Sequence, residues 1–316
     1  MRLLKSFEPK QQEFLKKLYS SEKPFLAISV PCYHTSHRIF AVVEAIEEQV
    51  KKISSYYKII LVDDCSTDDT WQCIQEIKAE KKDKVHAIRL RKNCGEHNAQ
   101  KIALGSLEAG IFILVDDDLQ QNPCDFQILI NEILRGKDLV YGKYERKKHS
   151  RLRNQLSKFN ETAATITLKK PKGLYLSSFK AIRGSLAKEL QHFPSPHLYL
   201  DAVLLSLTSN YSQVTVSHSL SMRPSTYTAS KLVGLHLNML LGFSTTPMKY
   251  IATGTLLFYA LALFLDFILK STGLTLAIFV WGAAVLFHLS LMNIFLSKIL
   301  QIRQSLPATS YIQEIL

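Results

Sequence analysis

Short apolar runs alternate with helical periodicity over the first half of the chain. Residues 25–30 (Phe-Leu-Ala-Ile-Ser-Val) are a continuous apolar run closed by Pro31, as expected of a strand buried on both faces. Similar runs recur at 58–62, 85–90, 111–115 and 138–141. Between them, 39–53 and 70–81 carry apolar residues at the spacing of an amphipathic helix. Strand alternating with helix implies right-handed crossovers and a mostly parallel sheet covered on both faces. Such sheets bind ligands beyond the carboxyl ends of their strands. The unusual polar residues fall there, at 31–37, 63–69, 93–98 and 116–121. A strand-like stretch at 173–182 and a helix around 198–207 come next.

The pattern changes near the end. Two apolar stretches, 251–269 and 274–296, are each long enough to cross about 30 Å of hydrocarbon as a helix. Only Lys270-Ser271-Thr272-Gly273 joins them, which predicts a transmembrane hairpin over 251–298 with both ends on one side. Lys249 before the first stretch, and Lys298 and Arg303 after the second, put that side in the cytoplasm. Asp266 reads as snorkelling outward and His288 as bonding a neighbouring helix, not as an ion site. Leucines at 232, 235, 237, 240 and 241 predict an interfacial amphipathic helix over 226–250. Residues 1–24 are charged throughout and read as a helical surface segment, not a secretory signal, and 299–316 as a cytoplasmic tail.

Composition sharpens this picture. The 316 residues carry 39 Lys+Arg against 27 Asp+Glu, a formal +12, and are 47% hydrophobic. That excludes a disordered tail, and the mean hydropathy of +0.03 is high for a purely soluble enzyme. Five cysteines, none in a CxxC pair, argue for reduced thiols in a cytosolic domain over a disulfide framework or a zinc site. A basic run from Lys143 to Lys158 suits either an anionic ligand or lipid headgroups. No nucleic-acid recognition module is visible.

Candidate chemistry centres on Asp116, Asp117 and Asp118, directly after an apolar strand. Three adjacent carboxylates repel one another unless a cation balances them, and hard oxygen ligands suit Mg²⁺ or Mn²⁺. Strand alternation points Asp116 and Asp118 one way and Asp117 the other. A second acidic strand end, Asp63-Asp64, strengthens this over a plain solvated turn. Asp201, on a predicted helix in apolar surroundings, suits either a general base for a hydroxyl acceptor or a brace for a neighbouring loop.

Val30-Pro-Cys-Tyr33, Leu61-Val-Asp-Asp-Cys-Ser-Thr-Asp68, Asn93-Cys-Gly95 and Leu114-Val-Asp-Asp-Asp-Leu-Gln-Gln-Asn-Pro123 occur in the order seen in family 2 glycosyltransferases. The chain most resembles their polyprenyl-phosphate branch over roughly 25–243, and the final hairpin matches bacterial members in layout. The resemblance implies a GT-A domain over 25–225, an inverting sugar transfer from a nucleotide-sugar donor to a polyprenyl phosphate, and a multi-pass inner-membrane location with cytoplasmic catalytic domain and termini. It implies that Pro31, Tyr33, Asp64, Asn93 and Gly95 bind the donor. Asp116, Asp118 and Gln120 would hold the metal, with Asp116 and Asp118 catalytic. Arg153, Ser157 and Arg223, with Arg146 as a further candidate, would hold the acceptor phosphate. Cys65 stands where the family usually has glycine, His34 where asparagine is common, and Tyr144 where arginine is frequent. Transfer to a hydroxyl of a lipid-linked saccharide and a catalytically silent membrane scaffold are the alternatives, and homo-oligomerisation is left open.

Overall fold

The structure is a computed structural model. It describes residues 25–144, 171, 173–193, 199–217 and 308–316, with 253, 254, 257, 260, 264, 282–293, 296 and 297 from the apolar region. The chain divides into two compact units. One comprises Met1–Ser150, Lys172–Ser225 and Leu306–Leu316, the other Arg151–Pro171 and Thr226–Ser305. The N-terminal segment 1–24, the basic run beyond Tyr144 and the predicted interfacial helix 226–250 lie outside the described residues. So does most of the predicted hairpin. Its described positions are helical, and among the described residues no helix is long and apolar enough to cross a membrane.

The first unit is built on one eight-stranded sheet. In chain order its elements are β1 (Leu26–Cys32), α1 (Ile39–Ile53), β2 (Tyr57–Asp63), α2 (Thr70–Lys81), β3 (Val85–Leu90), α3 (Glu96–Ser106) and β4 (Ile111–Leu114). Then come α4 (Phe126–Leu134), β5 (Leu139–Tyr144), β6 (Lys180–Arg183), α5 (Gly184–Leu190), α6 (Leu200–Leu207), β7 (Tyr211–Val216) and β8 (Ile312–Ile315). Across the sheet the order is β7-β5-β6-β4-β1-β2-β3-β8. The central strands β4, β1, β2 and β3 are parallel, and almost every residue in them is buried, as their unbroken apolar runs require.

Amphipathic helices close the faces. In α1, Ile39, Val42, Val43, Ile46 and Val50 are buried at helical spacing. The neighbouring Glu47 accepts from the Tyr57 hydroxyl at 2.8 Å and the Lys81 ammonium at 2.9 Å, tying α1 to β2 and α2. Burial pushes the Glu47 carboxyl up, but bonds from Lys81, Tyr57 and Lys51 outweigh it and hold it at about 2.

Two features depart from the sequence expectation. The strand-like stretch 173–182 contributes only β6, which runs antiparallel between β4 and β5, so the sheet is mixed on that side. The last residues, expected as a tail, form β8, antiparallel on β3. The direction of a strand and the pairing of a four-residue one are set by distant partners, and no local pattern encodes them.

Strand order also locates a crevice. From β1 the chain moves outward through β2 and β3, then returns to the other side of β1 as β4. The ends of β1 and β4 thus flank a topological switch point, the place where open α/β sheets bind ligands. Pro31 sharpens it. The backbone of residues 27, 29 and 31 of β1 faces β4 by strand alternation, and Val115 N–H still donates to the Ser29 carbonyl at 3.1 Å. Pro31 has no N–H to continue this ladder, and β1–β4 pairing ends at Ser29–Leu114 while β1–β2 pairing runs on to Cys32–Asp63.

At the opposite end of β4, Gly184 donates to the Gly110 carbonyl at 2.8 Å, and a Cβ built on it would lie 1.9 Å from the Ala109 carbonyl oxygen. Gly184→Ala is expected to destabilise the domain by about 1–3 kcal/mol through forced backbone displacement, measured by denaturant titration against the parent chain.

Candidate active site

Four loops meet at this end of the sheet, those after β1, β2, β3 and β4. Each contains one residue in the left-handed region: His34 (φ 53°), Cys65 (φ 60°), Gly95 (φ 84°) and Leu119 (φ 58°). Cys65 therefore occupies a backbone conformation that favours glycine. Loop residues are stapled to one another. His34 N–H donates to Ser66 Oγ at 3.1 Å, Thr67 N–H to His34 Nε2 at 3.3 Å, and Thr35 N–H to Thr70 Oγ1 at 2.8 Å. The Tyr33 ring, 47% exposed, stacks on the His34 imidazole with centroids 4.1 Å apart.

Asp64 is committed to the loop after β3. Its two carboxylate oxygens accept Cys94 N–H and Gly95 N–H, each at 2.8 Å. These charge-assisted bonds fix the start of α3 relative to β2. Asn93 is exposed just beside them.

Beyond the end of β4, Asp116 and Asp117 turn to opposite sides of the loop. Asp117 turns toward α1, where Arg38 donates to its carboxylate at 2.9 Å and to its carbonyl at 2.7 Å. The ion pair is largely sheltered, at 16% and 17% exposure, and it bridges the crevice between the β1 and β4 loops. Burial pushes the Asp117 carboxyl up, and the Arg38 charge pulls it back. Asp116 turns the other way. Its Oδ2 accepts from Gln121 Nε2 and from Ser178 Oγ, both at 2.7 Å, while its Oδ1 is buried without a partner. Asp118 accepts from Gln120 N–H at 3.1 Å and from the Gln120 amide at 2.6 Å.

Burial, then the negative charge of Glu96, with further pushes from Asp118 and Asp117, raises the Asp116 carboxyl to about 8 against the opposing Ser178 bond. A carboxyl held this high is short of positive charge. Among the described residues, no three His, Cys, Asp or Glu side chains converge as a complete cation cage. A hard cation that takes one or two carboxylates and fills its remaining positions from a ligand and water still fits the partnerless Asp116 oxygen.

Burial, then the negative charge of Asp116, pushes the Tyr144 hydroxyl at the end of β5 up, and its ring meets Tyr175 edge-on, with centroids 6.5 Å apart. Asp201 lies elsewhere in the hydrogen-bond network. It is 4% exposed, forms an ion pair with Lys180 and accepts from the Tyr141 hydroxyl at 3.0 Å. It thus ties α6 to β5 and β6. Arg146, Arg153, Ser157 and Arg223 lie outside the described residues. Sequence reasoning missed Arg38, Gln121 and Ser178. Gln121 falls within the Asp-rich motif and was accessible to closer reading, but Ser178 is 62 residues from its partner and carries no local signal.

A family model described as "Glycosyl transferase family 2" matches residues 27–191. The chain is 22% identical over 228 residues to an undecaprenyl-phosphate 4-deoxy-4-formamido-L-arabinose transferase of Yersinia enterocolitica, covering 72% of this chain and 70% of that protein. A Yersinia pestis protein of the same name matches with the same identity and coverage. Among solved structures, the Mycobacterium tuberculosis glucosyl-3-phosphoglycerate synthase in complex with Mn²⁺ and uridine-diphosphate-glucose superposes with TM-score 0.52 at 15% identity, covering 73% of this chain and 80% of that one. Another mycobacterial protein gives TM-score 0.54 at 16% identity, covering 72% and 76%. These two likenesses carry the α/β fold.

The raised Asp116 carboxyl makes a pH prediction. The native state holds its proton up to about 8 while the unfolded chain releases it near 4, so the native state binds more protons between those values. Stability of the metal-free protein should therefore fall as pH rises from about 4 to 8, by at most about 1.4 kcal/mol per pH unit from this group. Asp116→Asn, which mimics the protonated carboxyl, should flatten that slope in denaturant titrations repeated across the range. An unchanged slope would show that Asp116 titrates normally.

Proposed function

This glycosyltransferase belongs to glycosyl transferase family 2, and on that premise we propose that it moves a sugar, with inversion, from a nucleotide-sugar donor to a polyprenyl phosphate at the cytoplasmic face of a membrane. The observation that carries the reading is Asp116 on the acidic loop after β4, next to the switch point, with its Oδ1 buried and partnerless. The two Yersinia relatives, named as undecaprenyl-phosphate transferases, support the acceptor class.

In this reading the exposed Tyr33 ring meets the nucleobase, and Asp64, with Asn93 and Gly95, frames the nucleoside. Asp116, Asp118 and the Gln120 side-chain carbonyl would hold a divalent ion such as Mg²⁺ or Mn²⁺, which supplies Lewis-acid stabilisation of a departing diphosphate. The remaining work falls to positioning. Arg38 holds Asp117 toward α1, which leaves Asp116 and Asp118 free of that ion pair. A polyprenyl phosphate is largely anionic near neutral pH, its second pKa being about 6. It can attack the anomeric carbon without a protein base. Arg153, Ser157, Arg223 and Arg146 would hold it in line, arginine's planar fork suiting a phosphate.

Asp201 bears on the choice of acceptor. Transfer to a hydroxyl calls for a general base, and the Asp201 carboxylate is closed to solvent and engaged by Lys180 and Tyr141. That arrangement favours a bracing role and a phosphate acceptor.

The membrane reading rests on composition and connectivity. Leu257, Phe264, Leu286 and Phe287 are 58–70% exposed on helical segments, as lipid-facing residues would be. The chain leaves the catalytic unit after β7 and rejoins its sheet as β8. An even number of crossings between them, such as a hairpin over 251–298, satisfies that constraint.

Incubating the protein with a panel of nucleotide sugars and undecaprenyl phosphate, followed by mass spectrometry of the lipid extract, should reveal one glycosyl-phosphate lipid. Asp118→Ala is expected to lower its formation by roughly 10²–10³-fold. Asp201→Asn should retain most phosphate-directed transfer in chains that remain folded. A product glycosylated on a hydroxyl, and abolished by Asp201→Asn, would replace this reading with the other acceptor class.

A further inference from the structure

The loop after β3 is held from two sides. From inside the site, Asp64 takes the Cys94 and Gly95 amides. From outside, the final segment of the sequence takes the loop's first residues. Arg91 N–H donates to the Tyr311 carbonyl at 2.7 Å, and Arg91 Nε donates to the Ile312 carbonyl at 3.0 Å. The Lys92 ammonium lies 4.5 Å from the centre of the Tyr311 ring.

Those outer partners are delivered by β8 and the helical turn Ala308–Tyr311 that precedes it. β8 is secured to β3 by reciprocal bonds, Ala87 N–H to the Leu316 carbonyl at 3.0 Å and Leu316 N–H to the Ala87 carbonyl at 2.8 Å. The register shifts between Arg89 and Leu90 and pairing resumes at Leu90–Ile312, where the Arg91 side chain adds its bond to the Ile312 carbonyl. Without β8, β3 would be an edge strand, and Arg91, Lys92 and Asn93, all exposed, would have no wall on that side. The attachment is partial. Burial along β8 alternates between intermediate and exposed, and Ile315 is 51% exposed. A short strand with so little buried surface can detach well below the free energy of global unfolding.

The geometry points to β8 as a clamp on the donor loop: docking of Tyr311–Leu316 on β3 holds the Cys94 and Gly95 amides against Asp64 and so sets the affinity for the nucleotide part of the donor. Arg91 and Tyr311 are its positioning residues, touching no part of the donor themselves. The inference rests on the donor site proposed above, but its structural half can be read without a donor.

The test compares the full chain with a chain ending at Ser310, both reconstituted in lipid nanodiscs, by hydrogen exchange and by nucleoside-diphosphate titration. Truncation should speed exchange at Cys94 and Gly95 about tenfold while β1 and β2 stay protected, and should weaken nucleotide binding by a similar factor. Adding the peptide Tyr-Ile-Gln-Glu-Ile-Leu in trans should restore both, as strand addition to a free edge does. If the truncated chain fails to fold, Arg91→Ala in the full chain gives the same exchange readout, and should raise KM for the donor while kcat changes less than about twofold. Unchanged exchange at Cys94 and Gly95, or a loss of protection spread evenly through β2 and α3 with no rescue by peptide, would overturn the clamp. An intact chain that binds no nucleoside diphosphate would instead overturn the donor site, and the exchange data would still judge the clamp.

Discussion

A single missing hydrogen bond organises this molecule. β1 and β4 share a ladder until Val115 donates to Ser29, and Pro31 cannot continue it. The strand ends are then free to part where the chain, after β3, crosses back over β1 to lay down β4. A crevice between parallel strands would ordinarily leave backbone groups unsatisfied. Here the gap is spanned by the Arg38–Asp117 pair from α1 to the β4 loop, while the Gln121–Asp116–Ser178 set ties the same loop to the segment before β6 on its other side. Asp116 and Asp117 thus hold the β4 loop from both of its sides.

Rigidity at this end of the sheet comes from backbone conformations that cost energy. A non-glycine residue in the left-handed region costs on the order of 1–2 kcal/mol, and His34, Cys65 and Leu119 all sit there. Such conformations persist when their surroundings over-determine them, and they cluster where geometry must be held in advance of ligand. The surroundings are visible in the cross-loop bonds of His34 with Ser66 and Thr67, of Thr35 with Thr70, and of Asp64 with Cys94 and Gly95. The loops after β1, β2 and β3 are each fixed by a residue from a neighbouring loop, so none can relax alone. A site built this way spends little binding energy on ordering itself.

The central strands and the first two helices were legible because each is specified locally. The apolar runs at 58–62, 85–90 and 111–115 coincide with β2, β3 and β4, and the periodic segments 39–53 and 70–81 coincide with α1 and α2. The opposed directions of Asp116 and Asp117 are those that strand alternation predicts, although both lie beyond the end of β4. What was hidden was non-local. Nothing in Lys180–Arg183 signals that β6 runs antiparallel between β4 and β5, and the residues of β8 lie more than about 200 positions from their β3 partners. Asp201 was an acidic residue in an apolar helix with two open roles. Its engagement by Lys180 and Tyr141 became visible only when β5, β6 and α6 were brought together.

The central claim is that Asp116 and Asp118 hold a cation against the diphosphate of the donor. The most direct measurement is electron paramagnetic resonance of Mn²⁺ added to the protein together with a nucleoside diphosphate, reading the hyperfine coupling to phosphorus. The account predicts a protein-bound Mn²⁺ coupled to ³¹P in the parent chain and loss of that species in Asp118→Ala. The same coupled spectrum in the variant, or no protein-bound Mn²⁺ in the parent chain, would contradict it.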